Sequence, residues 1–239
     1  MRTGPTLVLI HSPLVGPGTW LPVAAELRAR GYQVVVPAVS AVTEAEPPYY
    51  RWLADRVRED VDSVGVSDRV MLIGHSGAGA LLPVIGAGLP GGAYGAVFVD
   101  AMLPHPGTSW FANAPAALVG QLRDLAVDGR LPPWHRWFPA EVIQALLPDE
   151  QQREHFIAEL RRLPLAYFAE PAPSVPEWSP QRCAYLQLSD GYDPEAAEAQ
   201  RRGWTVRHEP ADHLALLTQP GRISTVLDQT IRMLMDTDQ

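Results

Sequence analysis

A short stretch in the first third of the chain, residues 70–82, constrains the fold more than any other. It begins with an apolar run typical of a buried strand and ends with an apolar run at helical spacing. The serine at the junction, Ser76, has small residues around it, in Gly74-His75-Ser76-Gly77-Ala78-Gly79. Small residues allow a sharp turn in which backbone passes close to backbone. The stretch therefore predicts a tight strand-turn-helix unit with one hydroxyl at a sheet edge.

The pattern around Ser76 is G-x-S-x-G with alanine in place of the last glycine. It is typical of a nucleophile elbow, a turn that lifts a serine hydroxyl above the sheet in front of a helix N-terminus. Alanine at position 78 still meets the need for a small residue. The alternative interpretation is a glycine-rich turn without chemistry, and the flanking strand and helix patterns favour the elbow.

Short apolar strands and helical patterns alternate along most of the chain, and the strands are apolar on both faces. This pattern is typical of a parallel sheet covered by helices on both sides. We therefore predict the α/β class, with a mostly parallel sheet of about six strands. The predicted strands are residues 6–10, 33–37, 69–74, 95–100, 183–189 and 204–208, and the predicted helices outside the segment described next are residues 21–30, 49–64, 76–89, 194–202 and 213–235.

After the fourth predicted strand the pattern changes, with frequent prolines, no evident strand, and short helices predicted at residues 115–127, 139–147 and 149–163. Four of the seven tryptophans lie in this segment. The predicted organisation is an α/β core, residues 1–103 and 181–239, with a helical cap at residues 104–180. The cap aromatics are expected to form both a small core of their own and an apolar substrate pocket.

Composition excludes several classes of protein. The net charge is −8 without a basic cluster, so no nucleic acid partner is expected. No membrane-length apolar run and no signal-type segment occur, so we expect a cytoplasmic protein without membrane contact. All 19 basic residues are arginine, which excludes lysine chemistry. Cys183, the single cysteine, lies in an apolar run and is expected to be a buried, inert thiol. No cofactor and no metal are expected.

A serine hydroxyl becomes an effective nucleophile only when a base takes its proton. Among the seven histidines, His213 follows the last predicted strand, in Asp212-His213-Leu214. The C-terminal ends of parallel strands meet at one edge of a sheet, so Ser76 and His213 are expected to lie together. The alternative is a histidine at a helix terminus without a partner. His11 is interpreted as scaffold for the loop after the first strand.

An acid is needed to orient the base and to stabilise its charged form. Asp100 is the preferred candidate, because it follows an apolar strand and has no evident local role. Asp190 is the alternative, although its Ser-Asp-Gly context also fits a plain turn. Asp193 precedes Pro194 and fits a helix N-cap. The choice between Asp100 and Asp190 stays open.

The oxyanion of an acyl-transfer intermediate needs two donors. Gly77, which follows the serine, is predicted to supply one N–H. The other is expected from the loop after the first strand, where Pro13 has no N–H, so that Leu14 is the predicted donor. The alternative is an incomplete oxyanion hole, which would point away from efficient ester hydrolysis.

These residues resemble the α/β-hydrolase superfamily, and most of all its small cofactor-free branch with plant-type esterases and hydroxynitrile lyases. The resemblance rests on His11-Ser12-Pro13 with Trp20, the elbow, Asp100 and Asp212-His213-Leu214, in the order serine, aspartate, histidine. The sequence departs from the family where Ser12 replaces the usual glycine, where Pro13 enters the oxyanion loop, and at Ala78.

The resemblance implies a serine hydrolase that cleaves a carboxylic ester or thioester of a fairly apolar small molecule through an acyl-enzyme. One alternative is a lyase or cyclase for a polyketide-like intermediate, with His213 as general base. Another is a non-catalytic ligand-binding protein on the same fold. The expected partner is a small-molecule substrate, and a homodimer is left open.

Overall fold

The computed structural model describes residues 4–39, 45–65, 69–176, 178 and 182–236. The first three residues of the predicted core and the predicted boundary between residues 180 and 181 lie outside the described residues.

The sheet has six strands, all parallel, in the order β2-β1-β3-β4-β5-β6. Every residue of β1, β4 and β5 is buried, as expected for strands with helices on both faces. The predicted α/β class and parallel sheet are confirmed. The strands are β1 (Thr6–Ile10), β2 (Val34–Val35), β3 (Val70–Ser76), β4 (Gly95–Ala101), β5 (Cys183–Gln187) and β6 (Thr205–His208).

Helices cover both faces of the sheet. One face packs against α1 (Leu21–Ala29), α10 (Ala215–Thr218) and α11 (Pro220–Asp236). The other packs against α2 (Tyr49–Ser63), α3 (Leu82–Gly88) and α9 (Asp193–Arg201). Successive side chains of a strand point to opposite faces. Along β1, for example, Leu7 and Leu9 pack on the face covered by α1, α10 and α11, and Val8 and Ile10 pack on the other face.

A helical insert follows β4, as predicted. Its aromatic side chains pack on one another, with ring centroids 5.3 Å apart for Trp110 and Phe168 and 5.2 Å apart for Tyr167 and Phe168. The insert therefore has a small aromatic core of its own. Its helices are α4 (Trp110–Asn113), α5 (Ala116–Leu125), α6 (Ala140–Leu146), α7 (Glu150–Glu159) and α8 (Leu165–Ala169).

Two predicted helices differ from the structure. The elbow helix predicted at residues 76–89 is a 3-10 helix, Gly77–Leu81, followed by α3. The last helix, predicted at residues 213–235, is broken into α10 and α11. Proline disfavours helical backbone in the residue before it, and Gln219, before Pro220, has φ −135° and ψ 47°. Proline at the first turn then starts α11.

Smaller differences concern lengths. β2 has two residues where five were predicted, and the helix predicted at residues 149–163 ends at Glu159. The short helices α4 and α8 were not predicted. No helix among the described residues is long and apolar enough to cross a membrane.

Candidate active site

The elbow forms where β3 meets the 3-10 helix. Ser76 has φ +58° and ψ −129°, a conformation that is costly for a residue with a side chain. Position 79 requires glycine, because the backbone of Met102 lies so close that a Cβ at position 79 would be 2.0 Å from its carbonyl oxygen. The Ser76 carbonyl in turn accepts a hydrogen bond from the Met102 N–H at 3.1 Å. Contacts with the chain after β4 thus hold the serine in its strained turn.

Asp100 lies in an irregularity of the neighbouring strand. His75 is opposite Val99 and Ser76 is opposite Ala101, so Asp100 is an extra residue in β4, with φ +43°. The bulge directs the carboxylate towards the end of β5, where it is completely buried. Oδ1 accepts hydrogen bonds from the N–H groups of Leu188 and Ser189, at 2.9 and 3.0 Å.

The second carboxylate oxygen binds His213. Nδ1 of His213 donates to Oδ2 of Asp100 at 2.7 Å, and the Ser189 hydroxyl donates to the same oxygen at 2.7 Å. An ionised carboxylate only accepts hydrogen bonds, so the proton of the neutral imidazole is on Nδ1 and Nε2 carries a lone pair. The arrangement fixes the tautomer that a general base needs.

The charge of Asp100 is stabilised by its neighbours. Burial by itself raises the pKa of this carboxyl, but the hydrogen bonds from His213 and Ser189 outweigh burial, and the pKa is lowered. Asp100 is therefore ionised at neutral pH and can stabilise a positive charge on His213.

The other two aspartates have different positions. Asp190 is exposed at the start of a 3-10 turn, Asp190–Tyr192. Asp193 accepts a short hydrogen bond from the Gln187 amide and begins α9. Of the three aspartates considered from the sequence, the structure brings Asp100 to His213.

Ser76 and His213 open onto one cavity of about 350 Å³ between the core and the helical insert. Among the described residues, no arginine, aspartate or glutamate lines it, and most of its surface is aromatic or aliphatic. The lining residues are Ser12, Pro13, Leu14, Tyr50, Ser76, Gly77, Ala80, Met102, His105, Trp110, Leu118, Trp134, Trp137, Phe138, Tyr167, Phe168, Ser189, Tyr192 and His213.

Tyr192 is a site residue that the sequence interpretation missed. Its hydroxyl lies 3.4 Å from Ser76 Oγ, and its ring stacks on the His213 imidazole, with centroids 5.1 Å and planes 11° apart. Burial raises the pKa of this phenol, so it is neutral at physiological pH. The turn after β5 was considered only for its aspartates, and Tyr192 is the residue of that turn that reaches the serine.

Other potential centres are less suited to catalysis. Burial raises the pKa of the Cys183 thiol to about 12, which disfavours the thiolate needed for nucleophilic attack. Among the described residues, no group of three or more histidine, cysteine, aspartate or glutamate side chains is arranged to hold a metal ion.

The loop after β1 is fixed by His11. Nδ1 of His11 donates to the Ser12 carbonyl at 2.8 Å, and Nε2 accepts from the Val39 N–H at 3.1 Å. The N–H of Leu14, predicted as the second oxyanion donor, donates to the Ser12 hydroxyl at 3.3 Å. That N–H is therefore engaged inside the loop, and its role as the second oxyanion donor stays a prediction.

Two buried histidines predict a dependence of stability on pH. Burial lowers the pKa of His11 to about 4 and that of His75 to about 3, both from 6.5. Below pH 6.5 the unfolded chain binds protons that the native state does not. The free energy of unfolding should therefore fall by roughly 4 kcal/mol between pH 7 and pH 5. Urea unfolding at pH 7, 6 and 5 measures it.

The variant His75→Leu isolates one of these contributions. It should lose about half as much stability as the wild type between pH 7 and pH 5, whatever its stability at pH 7. An equal loss in both proteins would show that His75 is not buried in its neutral form.

Comparison with known proteins identifies the family of the chain. Residues 7–226 match the Alpha/beta hydrolase family, and the chain therefore belongs to that family, as the motifs indicated. No curated protein sequence matches the chain significantly.

Solved structures match over nearly the full length. An extracellular alpha/beta-hydrolase from a Paenibacillus species, described as sharing structural and functional homology with tobacco Salicylic Acid Binding Protein 2, matches with TM-score 0.76, 20% identity, and 94% of this chain and 98% of that chain covered. Polyneuridine aldehyde esterase, as its H244A mutant, matches with TM-score 0.70 and 19% identity, over 99% of this chain and 100% of that chain. A pyrethroid hydrolase from Sphingobium faniae JZ-2 matches with TM-score 0.69 and 20% identity, over 96% of this chain and 98% of that chain. At these identities the similarity concerns the fold.

Proposed function

We propose that the protein is a serine hydrolase that cleaves a carboxylic ester or thioester of a fairly apolar small molecule. One observation carries the proposal: Ser76, on a strained elbow, faces the same apolar cavity as a histidine held by a buried carboxylate. A strained backbone conformation at a serine, here at the end of β3, is typical of a functional position. The esterases among the similar structures support the same class of reaction.

The proposed reaction has two stages. Ser76 Oγ attacks the acyl carbon, and Nε2 of His213 takes the hydroxyl proton while Asp100 stabilises the resulting imidazolium. The tetrahedral intermediate collapses when His213 gives that proton to the leaving oxygen or sulfur, which leaves an acyl group on Ser76. Water, deprotonated by His213, then attacks the acyl carbon. The bond from that carbon to Ser76 Oγ breaks, His213 returns the proton to Oγ, and the acid is released. The Gly77 N–H is the proposed first oxyanion donor.

The cavity predicts which esters react. Burying a carboxylate without a cationic partner costs several kcal/mol, and no arginine of the described part of the chain lines this cavity. A p-nitrophenyl ester whose acyl chain ends in a carboxylate should therefore have a kcat/KM at least about 100-fold below that of its neutral counterpart of equal length. Release of p-nitrophenolate measures both rates.

A cavity variant serves as the matched control. Leu118→Arg places a cation on the cavity wall and should narrow the gap between the two esters. Equal rates of both esters with the wild-type enzyme would contradict the proposed substrate class, and the absence of any ester turnover would contradict the proposed reaction.

A second candidate is a lyase or cyclase that acts on a polyketide-like intermediate with His213 as general base. The observation that favours it is Pro13, which removes a backbone N–H from the oxyanion loop. Such a reaction forms no acyl-enzyme, so covalent trapping of Ser76 distinguishes the two candidates.

A further inference from the structure

We propose that the side-chain hydroxyl of Ser12 is the second oxyanion donor, in place of a backbone N–H. This inference rests on the proposed hydrolase function. It assigns a catalytic role to a residue other than Ser76, His213 and Asp100.

The loop after β1 offers no free backbone donor at the expected place. Pro13 has no N–H, and the Leu14 N–H donates to Ser12 Oγ. The Val15 N–H donates to the Ser12 carbonyl at 3.0 Å. The backbone donors of three successive residues are therefore missing or engaged within the loop, although an oxyanion needs more than the Gly77 N–H alone.

The Ser12 hydroxyl lies beside the other proposed donor. A Cβ placed on Gly77 would lie 2.9 Å from Ser12 Oγ, so this hydroxyl approaches the residue directly after Ser76. Ser12, Ser76 and Gly77 all line the catalytic cavity. An acyl oxygen that receives the Gly77 N–H is therefore close to the Ser12 hydroxyl as well.

The Ser12 hydroxyl also has a proton to donate. A serine oxygen has two acceptor sites and one proton, and the Leu14 N–H occupies one acceptor site. Ser12 is only 1% exposed, and His11 holds its carbonyl at 2.8 Å. A donor that is already fixed pays little to reorganise when charge develops on the substrate, which is the property that makes an oxyanion hole effective.

Variants of Ser12 test the assignment with a neutral p-nitrophenyl ester. Ser12→Ala should lower kcat by about 10²- to 10³-fold and leave KM within about twofold, because the lost bond forms only in the transition state. Ser12→Thr, which keeps a hydroxyl, should retain kcat within about tenfold of the wild type.

A second measurement separates catalysis from structure. A trifluoromethyl ketone that forms an anionic hemiketal with Ser76 should lose affinity for Ser12→Ala by about the same factor as kcat, whereas a ground-state amide analogue should bind unchanged. If both ligands weaken equally, or if Ser12→Ala keeps wild-type kcat, Ser12 is not an oxyanion donor. If Ser12→Ala does not fold, Ser12→Cys takes its place and should show the same selective loss, since a thiol is a weak donor.

The wild-type enzyme distinguishes the two levels of the proposal. If the wild type neither hydrolyses esters nor is labelled at Ser76 by a fluorophosphonate, the proposed function itself is overturned. If the wild type does both and Ser12→Ala is equally active, only the role of Ser12 is overturned.

Discussion

Replacing Ser76 with alanine is expected to lower kcat for a neutral ester by about 10⁴- to 10⁶-fold, while the protein stays folded. The loss should be this large because the substitution removes the atom that forms the acyl-enzyme, which no other described group in the cavity replaces at that position. Alanine lacks only the hydroxyl oxygen, and the hydrogen bond from the Met102 N–H to the carbonyl of residue 76 remains. Single-turnover and steady-state kinetics with p-nitrophenyl esters measure the effect.

The matched control is Ser63→Ala, at the C-terminal end of α2. Ser63 is exposed, and its hydroxyl donates only to the Asp60 carbonyl, at 2.8 Å. The control should keep kcat and KM within about twofold. Near-normal ester turnover by Ser76→Ala would show that another group performs the attack, and the mechanism would have to be abandoned.

Asp100→Asn is expected to lower kcat by about 10⁴-fold. The asparagine amide has no negative charge to stabilise the His213 imidazolium, and its NH2 group can present a donor to Nδ1 and thereby favour the wrong tautomer. Asparagine tolerates the positive φ of position 100, and its carbonyl oxygen can still accept the Leu188 and Ser189 N–H groups. The fold should therefore survive the change.

The comparison with Asp190→Asn decides between the two acids that the sequence leaves open. Asp190 is exposed and away from the His213 hydrogen bond, so its variant should keep kcat within about twofold. Near-ultraviolet circular dichroism checks that both variants keep their tertiary packing. A large loss with Asp190→Asn and a small one with Asp100→Asn would exchange the two roles.

The arrangement of the fold could be predicted from the sequence because its signals are strong and local. β1 has the predicted bounds, Thr6–Ile10, since the apolar run after Thr6 ends at His11-Ser12-Pro13 and has few other interpretations. The alternation of such runs with helical periods is sufficient to indicate a parallel sheet. Helices of four and five residues, such as α4 and α8, were missed because they are too short to show a period.

The elbow motif predicts the turn at Ser76 but not the geometry of the helix that follows it. G-x-S-x-G indicated the turn correctly, but the turn continues as a 3-10 helix through Leu81 before α3 begins. Small residues do not reveal which of the two helical geometries packing will select, because they are compatible with both.

The candidate site was less predictable, because it depends on contacts between residues far apart in the sequence. Three aspartates lie in or directly after the ends of strands at the same edge of the sheet. The bulge that turns Asp100 towards His213 has no signature of its own in the residues around it. The stacking of Tyr192 on His213 likewise joins two turns that only the assembled sheet brings together. The engagement of the Leu14 N–H by Ser12 depends on loop geometry.

The claim that Ser76 is a nucleophile activated by His213 is tested most directly by the mass of the intact protein after exposure to a fluorophosphonate. The wild type should gain one phosphonyl group, which peptide mapping should place on Ser76, and Ser76→Ala should gain none. His213→Ala, which keeps the serine but removes its base, should react far more slowly. A wild-type protein that is folded but not modified, or modification at another residue, would contradict the claim.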